Sequence, residues 1–144
     1  MFIFRGQRID NKEWIEGDYF CFPQDNHYII SPETKAFAYT VNKQDGLVGY
    51  FRVAPESLSI STGQLDKNEK MIFGSFEING VITKGGDRVK YASFYIGDGM
   101  YPDGVDNVYF DNGCFFGGNG ELCSEEIHNK QIEVIGQQCE LEAK

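Results

Sequence analysis

Four groups of residues in this chain carry side chains that could do chemistry. Asp98, Asp103, Asp106 and Asp111 lie in a glycine-containing stretch and could offer oxygens to a hard cation. Their spacing departs from the calcium-loop pattern of alternating acids, a central glycine and a closing glutamate, and Asp-Gly and Asp-Asn-Gly form turns unaided. Cys123 and His128 could form a nucleophile and its base. Such a pair needs an orienting group and an oxyanion site, and no motif supplies either, so they read as a packed cysteine and a surface histidine. Gly117-Gly118-Asn119-Gly120 and Lys84-Gly85-Gly86 are glycine-rich, as phosphate cradles are. The first lacks a following Lys-Ser/Thr and neither opens a helix, so both read as loops. Glu13, Glu16 and Asp18 beside Trp14 could pass for the carboxylates of a sugar site. Those must face each other across a substrate, which one strand does not arrange, so they read as solvated side chains. The sequence therefore assigns no catalytic, cofactor-binding or metal-ligating residue, and no cofactor.

The elements around these groups read as β structure. Residues 2–8 and 13–20 form two strands across Ile9-Asp10-Asn11-Lys12, where Asp and Asn favour a turn. A short strand covers 27–30, and 35–42 alternates cleanly, with Phe37, Tyr39 and Val41 on one face. A strand over 47–53 stops at Ala54-Pro55, because proline cannot donate to a ladder. Asn79-Gly80 joins Phe76-Glu77-Ile78 to Val81-Ile82-Thr83 as a type I′ hairpin, whose two central residues both need positive φ. Residues 88–96 carry aromatics on both faces and read as one central, covered strand, whereas 97–107 reads as a loop. A hairpin turns at Asp111-Asn112-Gly113, a short helix covers 124–130 with Ser124 as N-cap, and 131–136 is the last strand before a frayed or loosely docked tail.

Length and composition agree with that reading. A chain of 144 residues suits one domain, and its 41% hydrophobic content with twelve Phe and eight Tyr marks a folded, β-leaning protein. The net charge is −9, and residues 97–144 hold ten of the 22 acids against two of the thirteen bases. That balance disfavours direct nucleic-acid binding, which needs a basic footprint. The four cysteines, Cys21, Cys114, Cys123 and Cys139, form no C-x-x-C, and His27 and His128 complete no zinc spacing. Neither a signal peptide nor an apolar run of membrane length is present, so a cytoplasmic protein with reduced thiols and no membrane partner is expected.

Three separated blocks resemble the YopX-like proteins of phages and prophages. Phe4-Arg5-Gly6-Gln7-Arg8-Ile9-Asp10-Asn11, then Trp14, Gly17 and Tyr19, is similar to that family's opening. Pro55-Glu56-Ser57 and the run from Thr62 to Phe73 (TGQLDKNEKMIF) resemble its central block. Gly86-Asp87-Arg88-Val89-Lys90 and Ile132-Glu133-Val134-Ile135-Gly136 match its later steps. Glu69 stands where the family usually has glycine, residues 74–84 look like an added hairpin, and the ending after Gln137 differs. The resemblance spans residues 1–144 as one domain. It implies an all-β fold with at most one short helix, built of small antiparallel, partly barrel-like sheets, in a protein of a bacterial host's cytoplasm. It implies no established activity and carries over no catalytic residue.

The function expected from these readings is that of an accessory protein, non-enzymatic, that contacts an unidentified protein partner. Two others compete. Clustered acids, among them Asp98, Asp103, Asp106, Glu121, Glu125 and Glu133, could mimic nucleic acid and inhibit a DNA-binding protein. An aromatic-lined pocket near Trp14, Tyr19, Tyr91 and Tyr95 could bind a small ligand or catalyse a reaction. Exposed edge strands would also allow a homo-oligomer.

Overall fold

A computed structural model describes residues 2–23, 26–30 and 50–142. The strand expected over 35–42 and the turn after it lie outside the described residues, as does the start of the one expected over 47–53. The first hairpin forms as its sequence dictates. β1 (Phe4–Gln7) pairs antiparallel with β2 (Trp14–Phe22), and Gln7 sits opposite Trp14. Arg8 N donates to Glu13 O at 2.8 Å, and Glu13 N donates to Asn11 Oδ1 at 2.9 Å, so a local asparagine closes the turn. β3 (Asn26–Ile30), β4 (Tyr50–Arg52), β5 (Ser59–Leu65) and β6 (Met71–Gly74) complete a six-stranded antiparallel sheet ordered β4-β3-β2-β1-β5-β6. Pro55–Ser57 makes one 3-10 turn before β5, as proline at the first helical position favours.

Beyond β6 the Asn79-Gly80 hairpin appears as expected. β7 (Glu77–Ile78) pairs with β8 (Val81–Ile82), with φ of 50° at Asn79 and 82° at Gly80. β9 (Asp87–Tyr91) then becomes the middle strand of a second, three-stranded antiparallel sheet. Here the structure corrects the sequence reading twice. The expected strand over 88–96 is two, β9 and β10 (Phe94–Ile96), because Ala92 N leaves the ladder to donate to Lys130 O at 2.7 Å. The expected loop over 97–107 carries β11 (Gly99–Tyr101), paired with β10, and β12 (Gly104–Asn107), paired with β9. Nor is β9 covered on both faces: Val89 is fully buried, but Lys90 is exposed.

β13 (Tyr109–Asp111) and β14 (Cys114–Phe116) form the hairpin anticipated at Asn112-Gly113, both residues having positive φ. α1 (Ser124–Lys130) is the expected helix, with Glu125 and Glu126 in its first turn, where the helix dipole favours acids. Its N-cap, however, is Cys123, and the Ser124 hydroxyl donates to Gln64 Oε1 at 2.8 Å instead. β15 (Glu133–Gln137) closes the second sheet against β9. The tail, expected to fray or dock loosely, forms α2 (Gln138–Glu142), anchored by Gln138 N to Gly86 O and Cys139 N to Lys84 O, both 2.9 Å.

The fold class is thus all-β as expected, but with two short helices where at most one was expected, because the chain end docks on the loop before β9. The sheets are small and antiparallel, and among the described residues they close no barrel. Two apolar clusters form the core. One gathers Ile29, Val53 and Leu58 under the first sheet, with Phe4, Tyr19 and Phe76 packed against it. The other gathers Ile72, Val89, Val108, Leu122, Ile127 and Ile132 between β9 and α1. Burying one such aliphatic side chain stabilises by roughly 1.5–3 kcal/mol. No helix among the described residues is long and apolar enough to cross a membrane.

Candidate functional site

Among the described residues a buried polar network lies where the six-stranded and three-stranded sheets meet. Arg5 of β1 and Asp87 of β9 are 82 positions apart, yet Arg5 Nη2 donates to Asp87 Oδ1 at 2.9 Å, with both side chains buried. The same nitrogen donates to Gly85 O at 2.8 Å, and Phe73 N of β6 donates to Asp87 Oδ2 at 2.8 Å. The guanidinium lies 4.2 Å from the Phe73 ring centre and 5.8 Å from that of Trp14, a cation held against two aromatic faces. With its amide turned to suit its neighbours, Gln137 accepts from Arg5 Nε at 3.2 Å and donates to Glu140. Glu140 also accepts from Trp14 Nε1 at 2.6 Å. One arginine therefore ties together β1, β2, β6, β9, β15 and α2.

A buried arginine facing a carboxylate can bind an anionic substrate only if some of its donors remain open. Here two of the three guanidinium nitrogens, Nε and Nη2, are already engaged by Gln137, Gly85 and Asp87, so most of the fork serves the fold. Burial pushes the Asp87 carboxyl above its ordinary range, an effect that the Arg5 charge and the Phe73 N–H only partly offset. The sign of its pH dependence follows. The folded state holds the Asp87 proton more tightly than the unfolded state, so this group's contribution to stability is full at low pH. It declines as pH rises through the raised folded value. We therefore expect the stability lost in Asp87→Asn to shrink between about pH 4 and pH 7, as read from urea midpoints. A loss that grows over that interval would contradict it.

A second polar centre sits one turn away. Asp66 Oδ1 accepts from Asn68 N and Lys70 N, each at 2.9 Å, closing its own turn, and Oδ2 accepts from Val134 N of β15 at 2.9 Å. Glu69 adopts φ 64°, a left-handed conformation that glycine takes more readily than a residue with a side chain. Thr62 Oγ1 donates to Ile72 O at 2.9 Å. Gln7 N donates to Ser57 Oγ at 2.8 Å, and Ser57 in turn donates to Ala54 O at 2.6 Å.

The residues singled out by sequence fall apart by comparison. Cys123 is the extended residue that precedes α1 and makes no side-chain capping bond, whereas His128 lies within α1 and lines a groove with Gln64 and Gln131. Asp106 accepts from Asn107 N and Asn119 N, and Asp98 and Asp103 are exposed in separate links. Among the described residues no three His, Cys, Asp or Glu side chains come close enough to hold a metal ion. In the 117–120 loop Gly117 N donates to Gly120 O and Asn119 N to Asp106, and Lys130 Nζ donates to Gly118 O at 2.9 Å. Lys84-Gly85-Gly86 is likewise tied down, by Lys84 N to Glu56 O and Gly86 N to Ser75 Oγ.

Glu16 and Asp18 are exposed, and Trp14 bonds Glu140 rather than flanking a carboxylate pair. The four aromatics of the candidate pocket separate too. Tyr19 packs in the first cluster, 2.7 Å from His27 Nδ1, and Tyr91 packs in the second. Tyr95 stands exposed on β10. Of the acids considered for mimicry, Asp106 holds a loop. Glu133 pairs with Lys90 and Lys67, and the Lys90 hydrogen bond draws its carboxyl below the usual range. Sequence reasoning missed the Arg5–Asp87 pair. Both residues stood in the blocks that carry the family resemblance, and their juxtaposition had no local signal.

Comparison of the chain with protein-family models, with curated proteins and with solved structures gave no match.

Proposed function

We propose that this chain is a YopX-like accessory protein of a phage or prophage, acting in the bacterial cytoplasm by protein–protein contact and not by turnover. One observation carries the reading. Five polar residues of the resemblance, Arg5, Ser57, Thr62, Asp66 and Asp87, direct polar atoms into bonds that hold the fold together. A signature composed of such residues preserves a scaffold, and the scaffold's work then lies on its surface. The test is affinity capture from a bacterial host with the purified chain, alongside a broad hydrolase and transferase activity panel. A stoichiometric protein partner with no turnover is the expected result. Robust turnover by the isolated chain would overturn the reading.

A further inference from the structure

From residue 91 to residue 129 the sequence contains no lysine or arginine but seven carboxylates. Within that stretch Tyr95 of β10 faces Met100 of β11 as a direct cross-strand pair, so their side chains share one face of the hairpin. They are 73% and 56% exposed. The adjacent Phe94 points the other way, its ring centre 4.7 Å from Lys130 Nζ, and so fastens the hairpin to α1. A groove of about 400 Å³ runs between hairpin and helix, lined by Ser93, Phe94, Tyr95, Glu126 and Asn129. Lys130, the cation beside it, is buried and already bonds Glu126 and Gly118 O, each at 2.9 Å, so it offers little positive charge to the groove.

We propose that this groove and the Tyr95–Met100 face dock a Lys- or Arg-rich segment of a partner protein that also carries an apolar side chain. The inference rests on the protein-contact reading above and names the partner's chemistry. A basic side chain laid into the groove would place its methylene stem along Tyr95 and its charge over that ring and near the Glu126 carboxylate, which it would share with Lys130. Met100, unbranched and polarizable, suits an aliphatic anchor of variable shape. A second copy of this chain would bring the same net charge of −9, and nucleic acid would bring phosphates to a groove whose charged lining residue is the acid Glu126, so both are disfavoured.

The probe is a fluorescein-labelled peptide of about twelve residues in which Lys and Arg alternate with Leu, titrated with the full chain at low salt. We expect saturable binding that weakens about tenfold when Tyr95→Ser and Met100→Ser are combined, and again at about 0.5 M salt. The same peptide with every Leu replaced by Ser should bind at least about fivefold more weakly. Urea midpoints matching wild type would show that the exposed double variant is folded. No binding, an indifferent double variant, or equal affinity for the Ser peptide would each overturn the proposal, the last by showing attraction through charge alone. A captured partner indifferent to the double variant would also overturn it while leaving the protein-contact reading intact. Turnover without any partner would instead remove that reading.

Discussion

Arg5→Met is expected to destabilise the fold by ~3–5 kcal/mol, because it leaves the Asp87 carboxylate buried without its counter-charge. Three physical terms combine in that number. Asp87 would keep only the Phe73 N–H, Gly85 O would lose its donor, and the cation would vanish from between two aromatic rings. The buried carboxyl can relieve itself by taking a proton, so the loss should be smaller near pH 4 than near pH 7. Combining Arg5→Met with Asp87→Leu removes both charges together. The double variant should be more stable than the two separate losses predict, with a coupling of about 2 kcal/mol or more. Chemical denaturation followed by tryptophan fluorescence measures this well, since Trp14 sits beside the network. Losses that simply add would show that the pair does not act as a unit.

Gly85→Ala should be comparably severe, and for a steric reason. A Cβ built on Gly85 would run into the backbone carbonyl of Ser57 and crowd that of Leu58, neither of which can swing aside like a side chain. The carbonyl of Gly85 is itself fixed by Arg5, so relief by backbone movement would disturb the ion pair. Overpacking of this kind costs typically ~1–3 kcal/mol, and its coupling to the network places this case at or above the upper end. Gly80→Ala is the control. Nothing lies within 4 Å of its Cβ, and only its positive φ, +82°, opposes the change. It should cost about 1 kcal/mol. Equal losses at the two glycines, measured by thermal or urea unfolding, would refute the assigned contact.

Much of this fold could be read from local chemistry. Asn79-Gly80 and Asn112-Gly113 specify their hairpins because those residues tolerate the positive φ that the turns require. Glu125 and Glu126 mark the start of α1 for an equally local reason. What escaped reading depends on partners far away in the chain. The break between β9 and β10 has no sequence mark at Ala92-Ser93; it arises because the Lys130 carbonyl takes the Ala92 N–H. β12 hides in a Gly- and Asp-rich stretch and becomes a strand only by pairing with β9. α2 exists because the carbonyls of Lys84 and Gly86 receive its first two N–H groups. The polar centre escaped for the same cause. A resemblance drew attention to Arg5 and Asp87, but as an opening motif and a strand entry, and only tertiary structure makes them one ion pair.

If Arg5, Asp87 and Asp66 serve the scaffold and the surface serves the partner, stability and binding must separate experimentally. The most direct measurement is to determine, on one preparation of Arg5→Met/Asp87→Leu, both its urea midpoint and its affinity for the basic peptide or for a captured partner. The structure predicts a lowered midpoint with unchanged affinity under conditions where the variant is folded. A variant that remains as stable as wild type but no longer binds would contradict it, and would place Arg5 and Asp87 in the working site.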